Sequence, residues 1–210
     1  MRTNEPINVI LHLTGAILSI IGLVLLILKE PSNPWKVVSS CIYATTLLLL
    51  FASSTLYHFL FNKEGNKLQI FRKFDHLAIY ALIAGTYTPF CLITLHGAWG
   101  WSLLGVEWGL ALAGIIVQSI YIKAPRWLTT TIYALMGWMI IIGLAPLLEN
   151  LPIKGLYLLL TGGIIYTLGG IIYTIKKPNF SKRFGFHELW HAFVLAGALF
   201  QYLAIYLYVI

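Results

Sequence analysis

Runs of about 20 mostly apolar residues, the length that crosses a bilayer's hydrocarbon core as a helix, fill almost the whole of this chain. Seven are legible, at residues 8–28, 38–61, 74–95, 100–122, 127–148, 154–175 and 186–209. Hydrocarbon offers no partner to an open backbone amide, so only helices or closed barrels span it. Barrel strands are short segments of alternating polarity, and these runs are long and continuous. The chain is therefore expected to be an all-α integral membrane protein, a seven-transmembrane helix bundle forming a single domain over residues 1–210. Charged residues make up 10% of it, against about 25% in a soluble domain, which leaves no room for a second, soluble domain. The first run follows Arg2 but is too long for a signal peptide and lacks a small-residue cleavage site, so it reads as a membrane helix.

Lysine and arginine in short loops set orientation, because positive charge is retained on the cytoplasmic side. With the N-terminus on one side, that side collects Arg2, Lys63, Lys67, Arg72, Lys73, Lys123, Arg126, Lys176, Lys177, Lys182 and Arg183. The other side holds Lys29, Lys36 and Lys154. Eleven against three predicts a cytoplasmic N-terminus, an external C-terminus and a multi-pass protein of the cell membrane. The net charge of +7 is then a topology signal, with contact to anionic headgroups. Nucleic acid is excluded as a partner, because the basic residues flank membrane helices instead of lining a soluble face. Cys41 and Cys91 fall within spans and read as small apolar residues, with a disulfide between neighbouring helices as the alternative.

Polar residues inside such spans are costly and point to function. Here they gather at one end. His58 ends the second run, with Ser54 one helical turn deeper on the same face. Asp75 and His76 open the third run, and His187 and His191 open the seventh, one turn apart. Glu5, Asn8 and His12 lead the first run, again at helical spacing. All belong to the cytoplasmic third of the bundle by the charge argument.

Neutral imidazole suits zinc, and a catalytic zinc typically takes three protein ligands with one position left open. His58, His187 and His191 supply that number from two helices. Asp75 and Ser54 are placed to hydrogen-bond a water or orient an imidazole. Zn2+ lowers the pKa of water towards ~7, and a nearby carboxylate can take up and return a proton. Bland alternatives stand beside each assignment. Asp75 also suits the N-cap of span three, and Ser54 suits a bond back to the carbonyl one turn earlier.

The string His187-Glu188-x-x-His191 matches the H-E-x-x-H pattern of soluble zinc proteases. Those enzymes take a third ligand from downstream, and no His, Asp, Glu or Cys follows His191, so that fold is set aside. Glu188 faces either the site or a basic loop. His76 reads as structural and His96 as solvated, while His12 is divided between supporting the site and packing. Glu107 stands alone between Gly105 and Gly109, far from the histidines. It is expected to pair across a close helix contact or to carry a proton. Gly15, Gly22, Gly162, Gly163, Gly169 and Gly170 suit close helix packing. Pro89 should kink span three, and Trp35, Trp99, Trp101, Trp127 and Trp190 suit interfacial anchors.

Four pieces taken together resemble the progestin and adipoQ receptor family, specifically its bacterial hemolysin III branch. They are Glu5-Pro6-x-Asn8-x-x-x-His12, Ser54-x-x-x-His58, Phe74-Asp75-His76 with Ala84-Gly85-Thr86-Tyr87-Thr88-Pro89, and His187-Glu188-x-x-His191. The resemblance spans essentially the full chain in motif order and spacing. It implies a seven-helix bundle with a cytoplasmic N-terminus, opposite to G-protein-coupled receptors. It also implies zinc on His58, His187 and His191, with Asp75 and Ser54 near the bound water. The wider superfamily includes ceramide amidases, and the bacterial branch is named for a reported haemolytic activity.

The leading expectation is an intramembrane, metal-dependent hydrolase of a lipid amide or ester, with membrane lipid as substrate and the metal near the cytoplasmic face. A second class is a pore-forming, haemolytic protein or a regulator of membrane state with a structural zinc. No continuous polar stripe for a wide pore is visible in the spans. A third, an ion or proton transporter, lacks a polar path to the outer side.

Overall fold

A computed structural model of the chain describes residues 5–60, 66–121, 124–181 and 184–210, with backbone alone for 66–68. Arg2, Lys63, Lys123, Lys182 and Arg183 of the charge argument lie outside the described residues. The helices are α1 (Pro6–Lys29), α2 (Pro34–Phe59), α3 (Asn66–Pro89), α4 (Gly97–Ile120), α5 (Arg126–Trp138), α6 (Leu144–Asn150), α7 (Ile153–Ile175) and α8 (Phe186–Tyr208). A π-helical segment, Phe90–Leu95, extends α3, and a 3-10 segment, Met139–Gly143, joins α5 to α6. Among the described residues these make seven stretches long and apolar enough to cross a membrane, from 6–29 to 186–208. The expected all-helical, seven-span architecture is what the chain adopts.

Helix starts follow local chemistry. Pro6 and Pro34 occupy first-turn positions, where the missing N–H costs nothing. Asn33 caps α2 by accepting hydrogen bonds from the backbone of Trp35 and Lys36. At α8, the Glu188 carboxylate accepts from the Gly185 N–H at 2.8 Å, so this residue closes the helix N-terminus.

Packing arranges the helices as a ring. α1 lies against α2 and α8, α2 against α3, α3 against α5, α5 against α7, and α7 against α8. α4 packs outside this ring on α3. The outer surface is apolar. On α1 alone, Ile10, Ile17, Ile20, Ile21, Val24 and Leu28 are all exposed, an arrangement water would penalise and hydrocarbon does not. Close approach depends on glycine. A Cβ on Gly15 would stand 2.6 Å from the Phe51 ring, one on Gly162 2.8 Å from Gln201, and one on Gly169 2.8 Å from Phe193. Gly105 and Gly109 differ: a Cβ there meets nothing within 4 Å. These two glycines are therefore not where α4 approaches a neighbour, although Glu107 between them is buried and α4 packs on α3.

The fifth span departs from the single run that hydropathy suggests. Pro146 cannot donate to the helix, and its ring crowds the carbonyl four residues earlier, at Ile142. The turn before it tightens into the 3-10 segment. The Tyr87 hydroxyl, reaching over from α3, stands at the break. It is 2.9 Å from the Met136 and Gly137 carbonyls and accepts from the Ile140 N–H at 2.8 Å. Pro89 likewise ends the regular part of α3, and the π segment that follows closes with the His96 N–H on the Cys91 carbonyl at 3.1 Å. Cys41 and Cys91 are both free thiols. Trp35, Trp99, Trp101 and Trp127 are exposed at span ends, as expected of anchors, but Trp190 packs against the core. Its ring lies 5.3 Å from Tyr173.

Candidate metal centre

Three histidines from two helices meet inside the ring. α8 presents His187 and His191 on one face because residues four apart stack along a helix. α2 brings His58 in its last turn. The ring centroids of His58 lie 5.2 Å from His187 and 4.6 Å from His191, and those of His187 and His191 are 4.8 Å apart. One ligand atom from each lies within 4.8 Å of the others. His58 and His191 are buried, and His187 is half-buried.

The donor set and its geometry fit a cation. The Nε2 atoms of His187 and His191 are 3.1 Å apart, close to the ~3.3 Å between two imidazole nitrogens on one tetrahedral zinc. His58 Nε2 is buried and has no hydrogen-bond partner among the described residues, an expensive state for a ring nitrogen that a metal bond would relieve.

α1 surrounds the group from the other side. Glu5 Oε2 lies 2.5 Å from His58 Nδ1 and accepts from Asn8 Nδ2 at 3.1 Å. Burial pushes the Glu5 carboxyl up, but the hydrogen bond and charge of His58 outweigh it, and the pKa falls below its ordinary value. Deeper along α1, His12 Nε2 lies 2.6 Å from His191 Nδ1. The His12 ring rests edge-on against Phe51, 5.1 Å away. From sequence, Glu5 carries no role and His12 an undecided one. Their signal was the helical spacing of residues 5, 8 and 12, which puts them on one face.

The other expected site residues are distributed less tightly. Asp75 is not an N-cap: α3 starts nine residues earlier, at Asn66. The polar stretch 66–73 that hydropathy assigns to a loop continues the helix instead. Asp75 shares a cavity of about 350 Å³ with His187 and His191, and it is not one of the three-histidine group. Ser54 is fully buried one turn before His58, and its hydroxyl has no hydrogen-bond partner among the described residues. The backbone bond expected as its alternative is made by its neighbour, from Ser53 Oγ to the Leu50 carbonyl at 3.0 Å. His76 Nδ1 donates to the Arg72 carbonyl at 2.8 Å, its own carbonyl accepts from the Tyr133 hydroxyl at 3.1 Å, and it lines the same cavity. His96 is exposed at the far end of the bundle. Glu107 is fully buried, with neither carboxyl oxygen hydrogen-bonded among the described residues.

The cavity has two characters. Around the histidines it is walled by Asp75, Arg72, Arg126 and Tyr57, and deeper by Phe90, Ile140, Leu159 and Gln201. Along α8, the rise of fourteen steps from His187 to Gln201 corresponds to ~21 Å. Arg126 at the polar end is held against the Tyr173 ring, 4.9 Å from its centroid.

The family model described as Haemolysin-III related matches residues 1–202. Hemolysin-3 of Bacillus cereus is 42% identical over 208 residues, covering 98% of this chain and 92% of that protein. A Hemolysin-3 homolog of Bacillus subtilis (strain 168) is 41% identical over 206 residues, with 97% and 93% covered. The human Monocyte to macrophage differentiation factor is 26% identical over 181 residues, covering 83% of this chain and 71% of that protein. On the family match and on the two relatives above 40% identity, this chain belongs to the haemolysin-III-related family of membrane proteins.

Proposed function

We propose that the chain is a single membrane domain whose His58, His187 and His191 hold Zn2+, and that it hydrolyses an amide or ester bond of a membrane lipid from the cytoplasmic side. The observation that carries this reading is the coincidence of two features at one place. Three buried or half-buried imidazoles converge, and two of them, His187 and His191, line the polar end of a cavity whose deeper walls are mostly apolar. Zinc, when bound, supplies Lewis acidity for the carbonyl and lowers the pKa of water.

The protein's own residues do the rest. The apolar walls at Phe90, Ile140 and Leu159 accept a hydrocarbon chain and keep bulk water away. The reacting carbonyl is thereby held at the histidine end. Asp75, on the cavity wall with His187 and His191, takes a proton from the attacking water on a carboxylate oxygen and returns it to the leaving amine or alcohol. Ser54 orients the water or an imidazole. Arg126, braced on Tyr173, attracts the polar end of the lipid.

Metal content of the purified protein in detergent tests the first half, measured for wild type, His58→Ala and His191→Ala. About one zinc per chain in wild type, lost in both variants, is the expected result. Absence of metal from carefully prepared wild type would overturn the hydrolase reading. For the second half, Asp75→Asn is expected to keep its metal and lose turnover in a screen of lipid amides and esters. Wild-type turnover in that variant would remove Asp75 from the proton transfer.

The name that two relatives carry, Hemolysin-3, supports a second reading, lysis of membranes with zinc as a structural clamp. Dye release from liposomes decides it: release by wild type that is lost in His58→Ala would favour lysis over hydrolysis.

A further inference from the structure

We infer that α1, which contributes no ligand, sets the metal-facing nitrogen of two ligands from two different helices, with Glu5 positioning His58 and His12 positioning His191. The inference rests on the three-histidine metal reading and goes beyond it.

A neutral imidazole carries one N–H and one lone pair. A ligand must turn the lone pair to the metal, so its other nitrogen keeps the hydrogen and needs an acceptor. Glu5 Oε2 is such an acceptor for His58 at 2.5 Å. An ionised carboxylate only accepts, so the His58 hydrogen sits on Nδ1 and its lone pair on Nε2. That Nε2 is the buried atom with no hydrogen-bond partner among the described residues. Asn8 Nδ2 donates to the same Glu5 oxygen and fixes the carboxylate from below.

His191 repeats the logic with a neutral acceptor. Its Nε2 faces His187 Nε2 at 3.1 Å, and its Nδ1 faces His12 Nε2 at 2.6 Å. With the His191 lone pair directed at the metal, its Nδ1–H donates to His12 Nε2, and His12 keeps its own hydrogen on Nδ1. His12 therefore acts as an acceptor and not as a fourth ligand. Its ring is held for this by the edge contact with Phe51. α1 is suited to the task because it packs against both α2 and α8.

The decisive experiment is Co2+ and Zn2+ affinity of full-length protein in detergent, by competition with a chromophoric chelator. Wild type is compared with Glu5→Ala, Glu5→Gln, His12→Ala and His12→Gln. Each Ala variant is expected to keep one metal per chain and to lose about 10–100-fold in affinity. The Gln variants retain an acceptor oxygen and are expected to recover part of that loss, which a merely structural role would not produce. The visible Co2+ spectrum should shift with Glu5→Ala, since the basicity of His58 changes. Wild-type affinity in both Ala variants would overturn the inference and leave the metal site standing. A wild type that binds no metal would instead overturn the metal reading itself. Should His12→Ala fail to fold, the Glu5 pair decides, because Glu5 precedes the membrane span.

Discussion

A single added methyl group separates two kinds of glycine in this bundle. At Gly85 a Cβ would stand 2.0 Å from Thr46 Oγ1 and 2.9 Å from both its carbons. Thr46 cannot swing away freely, because its hydroxyl is bonded to the Tyr43 carbonyl at 2.8 Å. Gly85→Ala is expected to destabilise by about 1–3 kcal/mol, read as an earlier thermal unfolding midpoint in detergent. Gly105→Ala enters open space and is expected to be neutral or stabilising by up to ~1 kcal/mol through helix propensity. Equal midpoints for the two variants would refute the packing described for α2 and α3. At this scale the sequence was generous with some residues and silent on others. His58, His187 and His191 were legible because histidine is rare in apolar runs and two of them stand one helical turn apart. The parts played by Glu5 and His12 were not legible. They depend on which ring nitrogen faces which neighbour once α1 settles between α2 and α8, and no spacing rule carries that.

Interrupted helices are where reading by hydropathy fell short. Residues 127–148 form one apolar run, yet the chain there is α5, a 3-10 turn and α6. Hydropathy registers which residues avoid water and is blind to where the hydrogen-bond pattern changes. Pro146 marked the place, but the compensating partner, Tyr87, lies on another helix. Tyr87→Phe removes the acceptor of the Ile140 N–H and the hydroxyl beside two carbonyls. It is expected to cost ~1–3 kcal/mol and to raise hydrogen exchange around residues 136–143. Unchanged exchange there would show that the break is self-sufficient. The π segment makes a similar demand on α4. A Cβ on Gly100 would come within 2.1 Å of the Cys91 carbonyl oxygen, which is backbone and cannot rotate aside. Gly100→Ala should therefore destabilise by about 3 kcal/mol.

The molecule as a whole sorts its charge between two ends. Lys29 bonds the Tyr206 carbonyl, and Lys36 bonds that of Ile210 at 2.7 Å, so these two lysines meet the last turn of α8. Arg72 and Arg126 lie at the opposite end, on the wall of the histidine cavity. These four residues thus fall at the two ends to which loop counting assigned them. Orientation in the cell follows as a prediction. Reporter fusions should find the residue-1 end in the cytoplasm and the residue-210 end outside, and the reverse pattern would move the histidine site to the outer face.

Two tryptophans stand on the wall of the histidine cavity, Trp138 and Trp190, while Trp35, Trp99, Trp101 and Trp127 face outwards. Nature has thereby fitted the chamber with its own fluorescent gauge. An amphiphile carrying bromine on its tail should dim the emission of Trp138 and Trp190 as it moves in, and a variant with both replaced by Phe should lose that part of the quenching. Occupancy becomes visible without a label, before any product has been identified.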